Sequence, residues 1–417
     1  VLTKGFPRWF VRILLTRAPF SSNIDSMEYI PRLLEEKIRH SLARNKSVLL
    51  FGARQTGKTT LTGRLDADLS ISFIQPDVRQ RYEKSPHLLK GEVESIVSGS
   101  SRKRPLVILD EVQKVPDILD VVQDLIDRGQ ANFILTGSSA RKLRRGARVN
   151  LLPGRVTTFK IDPFSLSELP AKDLNGRLLY GSLPGILAAD NDADRETDLE
   201  SYVTTYLEEE VRAEAVVRNL GDFARFLELA ASESGGIINL RKLSQEIGVA
   251  HTTIGAYYQI LEDCLIAERI EPLTKSKTRK KLTRSEKFLF FDLGVRRVAA
   301  REGTKLSRDT MGRIFEQFVG LELLRCAHAN NSTARIRFWR DPDGPEVDWI
   351  VDKNGAYTPV EVKWTGNPTT NDIRYLEVFL SEYHSAEVGY LVCQIPRNVK
   401  LSDRVFALPW QSVDELG

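Results

Sequence analysis

Ser47-Val48-Leu49-Leu50-Phe51-Gly52-Ala53-Arg54-Gln55-Thr56-Gly57-Lys58-Thr59-Thr60 is the stretch that decides the fold. An apolar, strand-like run enters Gly-x-x-x-x-Gly-Lys-Thr directly, and a helical pattern follows. The two glycines let the backbone curl so that successive N–H groups converge on phosphate oxygens. Lys58 sets a point charge against the β- and γ-phosphates, and the Thr59 hydroxyl can ligate Mg²⁺. The helix that opens here adds its positive N-terminal end. Gly52, Ala53, Arg54, Gln55, Thr56, Gly57, Lys58, Thr59 and Thr60 are therefore the expected binding residues for ATP with Mg²⁺. A chance glycine turn would lack the flanking strand and helix.

Further strands follow. Pro105-Leu-Val-Ile-Leu109-Asp110-Glu111 is a buried strand ending in two carboxylates. Beside a phosphate loop, Asp110 is expected to hold the metal through water, and Glu111 to orient or deprotonate an attacking water. Asn132-Phe-Ile-Leu135 ends in Thr136-Gly-Ser138-Ser139. Ser138 is the candidate γ-phosphate sensor there, although hydroxyls also make ordinary turns. Short strands near Ile71–Ile74 and Val156–Ile161 complete a five-stranded parallel sheet with the nucleotide at its carboxyl end. Before it, Ile30, Leu33, Leu34, Ile38 and Leu42 fall at helical spacing.

Composition narrows the function classes. The 417 residues carry 60 Lys and Arg against 56 Asp and Glu, a formal charge of +4, so any affinity for nucleic acid must come from local patches. With 41% hydrophobic and 28% charged residues, the chain is globular in composition and long enough for several domains. No apolar run approaches a membrane span. Three scattered cysteines, Cys264, Cys326 and Cys393, give neither a disulfide scaffold nor zinc spacing and suit a reducing, cytoplasmic setting. Residues 1–26 are basic and acid-poor up to Asp25. They read as a dispensable extension, disordered or not native, in preference to an organelle transit peptide.

The phrases FGARQTGKTTL, LDEVQKVP, ILTGSSARKL, LLPGR and FSLSELP, in this order, resemble the prokaryotic AAA+ ATPase family with a C-terminal restriction-endonuclease-like domain. The resemblance runs from Met27 nearly to the C-terminus. It implies an AAA+ core that assembles as a homo-oligomer, by analogy a hexameric ring. It also makes Arg155 of LLPGR the candidate arginine that reads a phosphate within or across subunits, with Arg212 a weaker one. A structural salt bridge is the alternative for Arg155.

The remaining chain offers basic and acidic clusters. Arg141, Lys142, Arg144, Arg145 and Arg148 form either a solvated loop or a phosphate-binding loop facing a DNA channel. A charged helical stretch runs from Asp198 to about Ala231. Two short amphipathic helices then meet at Gly248, with Thr252 or Thr253 expected to cap the second. A strand from Leu265 and the basic run Lys275, Lys277, Arg279, Lys280, Lys281, with Arg284 beyond, read as the wing of a DNA-binding winged helix. Protein docking and a purely structural role are the alternatives for such a module.

In the last third, Ile314–Leu324 reads as an amphipathic helix carrying Glu316 on or near its apolar face. Strand-like segments then carry Asp348 and Glu361-x-Lys363, with a turn at Lys353-Asn354-Gly355. Alternation along a hairpin puts Glu361 and Lys363 on one face, opposite Asp348. Grouped carboxylates bind Mg²⁺, and an adjacent lysine positions water or offsets phosphorane charge. The set resembles the E…D…ExK core of restriction-endonuclease-like nucleases, including archaeal Holliday-junction resolvases, and Glu316, Asp348, Glu361 and Lys363 match it.

The fold class expected is α/β. A P-loop AAA+ core spans 27–170, a helical lid 171–218, a winged helix 219–285 and a restriction-endonuclease-like domain 286–417. The function expected is an ATPase that moves along or remodels DNA, with branch migration of Holliday junctions as the test case. The alternative is a nucleotide-gated regulatory or defence switch without motor activity. No membrane partner is expected.

Overall fold

A computed structural model describes residues 29–99, 104–139, 154–207, 220–276, 279, 281–330 and 332–417. The 1–26 extension, the Arg141, Lys142, Arg144, Arg145 and Arg148 run, Arg212, Lys277 and Lys280 lie outside the described residues.

Five strands, β1 (Ser47–Phe51), β2 (Leu69–Ser72), β3 (Leu106–Asp110), β4 (Asn132–Gly137) and β5 (Val156–Lys160), form a parallel sheet in the order β2-β3-β4-β1-β5. The central strands are near-continuous apolar runs because helices cover both faces. Side chains alternate between them. Val48 and Leu50 pack with Leu34, Ile38 and Leu61 on one face. Leu49 and Phe51 pack with Phe133 and Ile118 on the other. Each such fully buried side chain contributes about 1.5–3 kcal/mol relative to exposure. β4 extends through Thr136 and Gly137, two residues beyond the strand end at Leu135 expected from the sequence.

The middle of the chain is helical. Helices Leu240–Ile247 and His251–Asp263 are joined by a tight turn in which Gly248 takes a left-handed conformation, φ 84°. Asn239 caps the first through the backbone N–H of Lys242 at 3.0 Å. The expected threonine cap of the second is corrected: the helix opens at His251 behind Ala250, with no side-chain cap, so Thr252 and Thr253 sit inside its first turn. Phe223, Phe226, Tyr257, Tyr258 and Phe288 interlock beneath these helices, with the Phe226 and Tyr258 rings edge-to-face at 4.9 Å.

β6 (Ala267–Pro272) and β7 (Lys287–Phe290) form the antiparallel hairpin that carries the basic run. They are joined in one sheet to β8 (Arg335–Arg340), β9 (Glu346–Lys353), β10 (Ala356–Val362), β11 (Gly389–Cys393), β12 (Val399–Lys400) and β13 (Val405–Pro409). The order is β12-β13-β11-β10-β9-β8-β6-β7, with β6 parallel to β8 at Glu271 and Pro272. A division at 285/286 therefore falls between two paired strands of a single sheet. β9 and β10 are connected by Asn354-Gly355, both at positive φ (56° and 93°), the geometry that a two-residue hairpin demands.

The helix Arg308–Ala329 differs from the amphipathic pattern expected. From Ile314 to Ala329 nearly every side chain is buried, because the helix is enclosed by the sheet, the 164–169 segment and the C-terminal turns. Gly320 permits this. A Cβ there would lie 2.4 Å from the Trp349 ring.

Candidate functional site

The loop between β1 and the helix Lys58–Thr62 is shaped by its glycines. Gly57 has φ 95°, and a Cβ on Gly52 would meet the Ile161 carbonyl at 2.5 Å. Lys58 is folded onto its own loop, its Nζ donating to the carbonyls of Gly52 (2.8 Å) and Ala53 (2.9 Å). The Thr56 hydroxyl donates to Ala53 at 2.8 Å, while Thr59 and Thr60 face solvent. Gln55 sits at φ 61°, and Arg54 presents its carbonyl to the Tyr202 hydroxyl at 3.2 Å.

Asp110 and Glu111 end β3, and β4 lies between them and the loop strand. The Asp110 carboxylate accepts from the Thr136 hydroxyl and, at 3.1 Å, from Ser72. Burial pushes the Asp110 carboxyl above its ordinary range, against the Thr136 hydrogen bond and the Lys58 charge. Glu111 holds a left-handed backbone, φ 58°, outside the comfortable region for a side-chain-bearing residue. Its carboxylate accepts from Ser138 at 2.9 Å and from Gln113. Ser138 thus touches Glu111 itself.

Arg32 carries a role with no local sequence signal. Its guanidinium donates to the Thr56 carbonyl (2.7 Å), the Asp162 carbonyl (2.6 Å) and the Glu168 carboxylate (2.9 Å), bracing the loop from behind. Glu168 belongs to the FSLSELP phrase. Two residues earlier, the Leu166 N–H donates to Glu322 on the long helix at 2.8 Å. The phrase ties the loop to the long C-terminal helix.

Arg155 precedes β5 and is bidentate to Asp127, at 2.6 and 2.9 Å. The register pairs the start of β5 with Ser47, at the end of β1 away from the loop. Five strand residues at ~3.3 Å each separate the two ends. A role for Arg155 on a phosphate in its own loop is therefore corrected by the geometry.

The second cluster gathers on β9, β10 and the long helix. The Val362 N–H donates to Asp348 Oδ2 at 2.9 Å, and Lys363 Nζ donates to Glu361 Oε1 at 2.6 Å. Glu361 Oε2 is buried without a hydrogen-bond partner. Burial first, then Glu361 and Glu316, pushes Asp348 well above the carboxylate range. Burial likewise pushes Glu361 up to about 7, against Lys363. Lys363 holds its proton more tightly than an ordinary lysine: burial opposes the charge, but Glu361 and Asp348 outweigh it. Glu316 reaches a different partner, accepting from Lys287 Nζ at 3.0 Å. Lys287 lies on β7, far from any pattern that flagged the cluster. Among the described residues no three His, Cys, Asp or Glu side chains are grouped closely enough to hold a metal ion.

The basic run divides. Arg279 is enclosed by Glu382 (2.6 Å) and Asp341 (2.7 Å) and stacks on Trp339. Its expected role as a DNA contact is corrected: the guanidinium ties the hairpin to the C-terminal unit. Lys275 is exposed, and Lys281 faces Asp343 at a loose 3.6 Å with about four-fifths of its side chain in solvent.

With this geometry in view, comparisons place the first module. Residues 44–170 match the family described as "AAA domain". The chain carries an AAA-family ATPase domain. Beyond it, residues 171–306 match "Domain of unknown function (DUF8612)" and residues 311–413 "Domain of unknown function (DUF4143)". The uncharacterized protein Rv2008c of Mycobacterium tuberculosis is 28% identical over 394 residues, covering 91% of this chain and 85% of that one. The uncharacterized protein MJ1637 of Methanocaldococcus jannaschii is 24% identical over 313 residues, covering 63% and 65%. Among solved structures, protein VC1899 from Vibrio cholerae aligns over 89% of this chain and 96% of its own at 13% identity. Its TM-score of 0.19 is too low to carry a fold comparison. The AAA domain implies nucleotide binding. Among the described residues, no helix is long and apolar enough to cross a membrane.

Proposed function

We propose that the chain is a cytoplasmic ATP-dependent DNA-processing ATPase, which hydrolyses ATP to move along or remodel DNA held by its hairpin and its carboxylate–lysine domain. The observation that carries it is the pairing of Glu111 with Ser138 and Gln113 in the crevice beside the phosphate loop. A base held on hydroxyl and amide donors is oriented to take a proton from water. Lys58, resting on loop carbonyls, can exchange them for β- and γ-phosphate oxygens without moving its backbone.

The residues fit Mg²⁺. Thr59 is exposed on the first helical turn, and both Asp110 oxygens are held by hydroxyls, which suits an outer, water-mediated position. Bound with ATP, the ion would neutralise charge across the β- and γ-oxygens. Arg155 lies at the far end of its own sheet, so any phosphate it reads belongs to a neighbouring subunit, in keeping with a homo-oligomer such as a hexameric ring.

On the DNA side, Lys275 and Lys281 supply phosphate-tracking charge in a winged-helix hairpin. Glu316, Asp348, Glu361 and Lys363 supply a restriction-endonuclease-like site. Branched DNA is the first substrate to test, by analogy with resolvases. The test is the ATPase rate with no DNA, with duplex and with a four-way junction, using Lys58→Ala as control. Several-fold junction stimulation with strand exchange is expected. A rate indifferent to all DNA overturns the motor reading and leaves a nucleotide-gated regulatory switch, which the bracing of the loop through Arg32, Asp162 and His328 favours.

A further inference from the structure

The carboxylate–lysine domain contains a cation that its sequence motif does not include. Lys287 comes from β7, the outer strand of the basic hairpin, and it is buried: 8% of its surface is exposed. Its aliphatic stem and ammonium lie against two aromatic faces, Nζ being 5.0 Å from the centre of the Phe338 ring and 5.2 Å from that of Trp349. The ammonium bonds Glu316 at 3.0 Å, and the Trp349 indole N–H donates to the Glu316 carbonyl at 3.0 Å. Both ends of Glu316 are thereby fixed. Asp348 and Glu346 also lie within electrostatic reach of Lys287. Three acidic side chains thus face one internal cation, while Glu361 Oε2 stays buried and unpartnered. That orphan oxygen points to a missing positive ligand, yet among the described residues no three carboxylates are gathered to receive one.

We infer that Lys287 is a positioning residue that sequesters Glu316 from Asp348 and Glu361, and so keeps the site weak for divalent metal until the ammonium is displaced. The inference rests on reading Glu316, Asp348, Glu361 and Lys363 as one site. Its logic is charge exchange. A divalent ion entering at Glu361 Oε2, whose partner oxygen already carries Lys363, finds Glu316 neutralised by Lys287 and a second ammonium repelling it. Freed of Lys287, Glu316 can rotate towards the other two acids. The hairpin that tracks DNA charge would then also carry the group that opens or closes the acidic site.

The experiment measures Mn²⁺ binding to the full-length, nucleotide-free chain by calorimetry and by electron paramagnetic resonance. Lys287→Met keeps the stem against Phe338 and Trp349 and removes the charge, and at least tenfold tighter binding is expected. Glu316→Gln should abolish the gain when it is combined with Lys287→Met. Asp348→Asn should remove the signal in wild type and in Lys287→Met. Unchanged or weaker binding by Lys287→Met overturns the inference, as does a gain that survives Glu316→Gln or Asp348→Asn. If Lys287→Met folds poorly by thermal melt, Lys287→Gln replaces it under the same criteria. DNA cleavage is scored separately. Tighter metal binding without cleavage sinks the nuclease reading and leaves the role of Lys287 standing.

Discussion

The carboxylate of Asp162 accepts from Nδ1 of His328 at 2.7 Å, joining the end of the parallel sheet to the end of the long C-terminal helix. His328 also reaches Glu268 at 3.1 Å, and Lys160 bonds Glu268 from the opposite side. Four ionisable groups from three parts of the chain therefore close one half-buried, charge-balanced cluster. The Asp162 carbonyl meanwhile holds Arg32, which holds the phosphate loop.

This cluster sets a pH dependence. Burial opposes a charged His328, but Glu268 and Asp162 outweigh burial and Lys160, raising its pKa to about 9. The folded state thus binds this proton more tightly than the unfolded chain, whose histidines titrate near ~6.5. The stabilisation is complete below that value and is lost as pH rises through about 9. Wild-type melting temperature should fall across this window relative to His328→Gln. A difference between the two that stays constant with pH would refute the assignment.

Arg32→Ala should loosen the loop without touching phosphate. It removes three hydrogen bonds from one buried guanidinium, which leaves the Thr56 carbonyl and Glu168 without that partner. A loss of about 2–4 kcal/mol in stability is expected. Nucleotide affinity should drop roughly tenfold, about 1.4 kcal/mol, as read by a fluorescent ATP analogue. Arg32→Lys should restore little, because one ammonium cannot span three acceptors.

Beside the phosphate loop, Glu111→Gln should retain ATP binding and lose ATPase by at least ~100-fold. Ser138→Ala removes one hydroxyl from the Glu111 carboxylate and should lower kcat about tenfold with KM unchanged. Steady-state ATPase kinetics check both. A KM effect alone from Ser138→Ala would mean that the hydroxyl meets nucleotide, as the sequence suggested, more than it meets Glu111.

The basic hairpin should split in two by mutation. Arg279→Ala should cost about 1–2 kcal/mol of stability, discounted for its partial exposure, through the loss of Glu382 and Asp341. Lys275→Ala with Lys281→Ala should leave melting unchanged. The pair should weaken DNA binding and reduce its salt slope by about 2. Fluorescence anisotropy at several salt concentrations and thermal melts read these outcomes. A DNA defect confined to Arg279→Ala would reverse the division.

Gly320→Ala should destabilise by about 1–3 kcal/mol, because the new methyl must displace the Trp349 indole from the helix. Tryptophan fluorescence and denaturant unfolding report the loss. Melting equal to wild type would show that the ring has room to move.

The phosphate loop, the carboxylate-ended β3 and the Asn354-Gly355 hairpin were legible because their signals are local: fixed spacing, strand runs and turn residues. Lys287, Arg32 and His328 gave no signal, since each acts on residues far away in sequence and sits in an unremarkable stretch. Arg279 misled for a related reason. A run of lysines and arginines looks like one solvated patch, yet the partners that remove Arg279 from it, Asp341 and Glu382, come from other elements. The long helix was misjudged in degree, because a pattern shows where apolar residues recur but not how many neighbours will enclose the remaining faces.

The parallel contact of β6 with β8 also governs how the chain can be divided for expression. A fragment starting at residue 286 keeps β7 but strips β6 from between it and β8, leaving the β8 backbone unpaired along Arg337 and Phe338. Such an edge recruits other strands and promotes aggregation. A soluble C-terminal piece needs to begin upstream of Ala267, so that the hairpin travels with the sheet it completes.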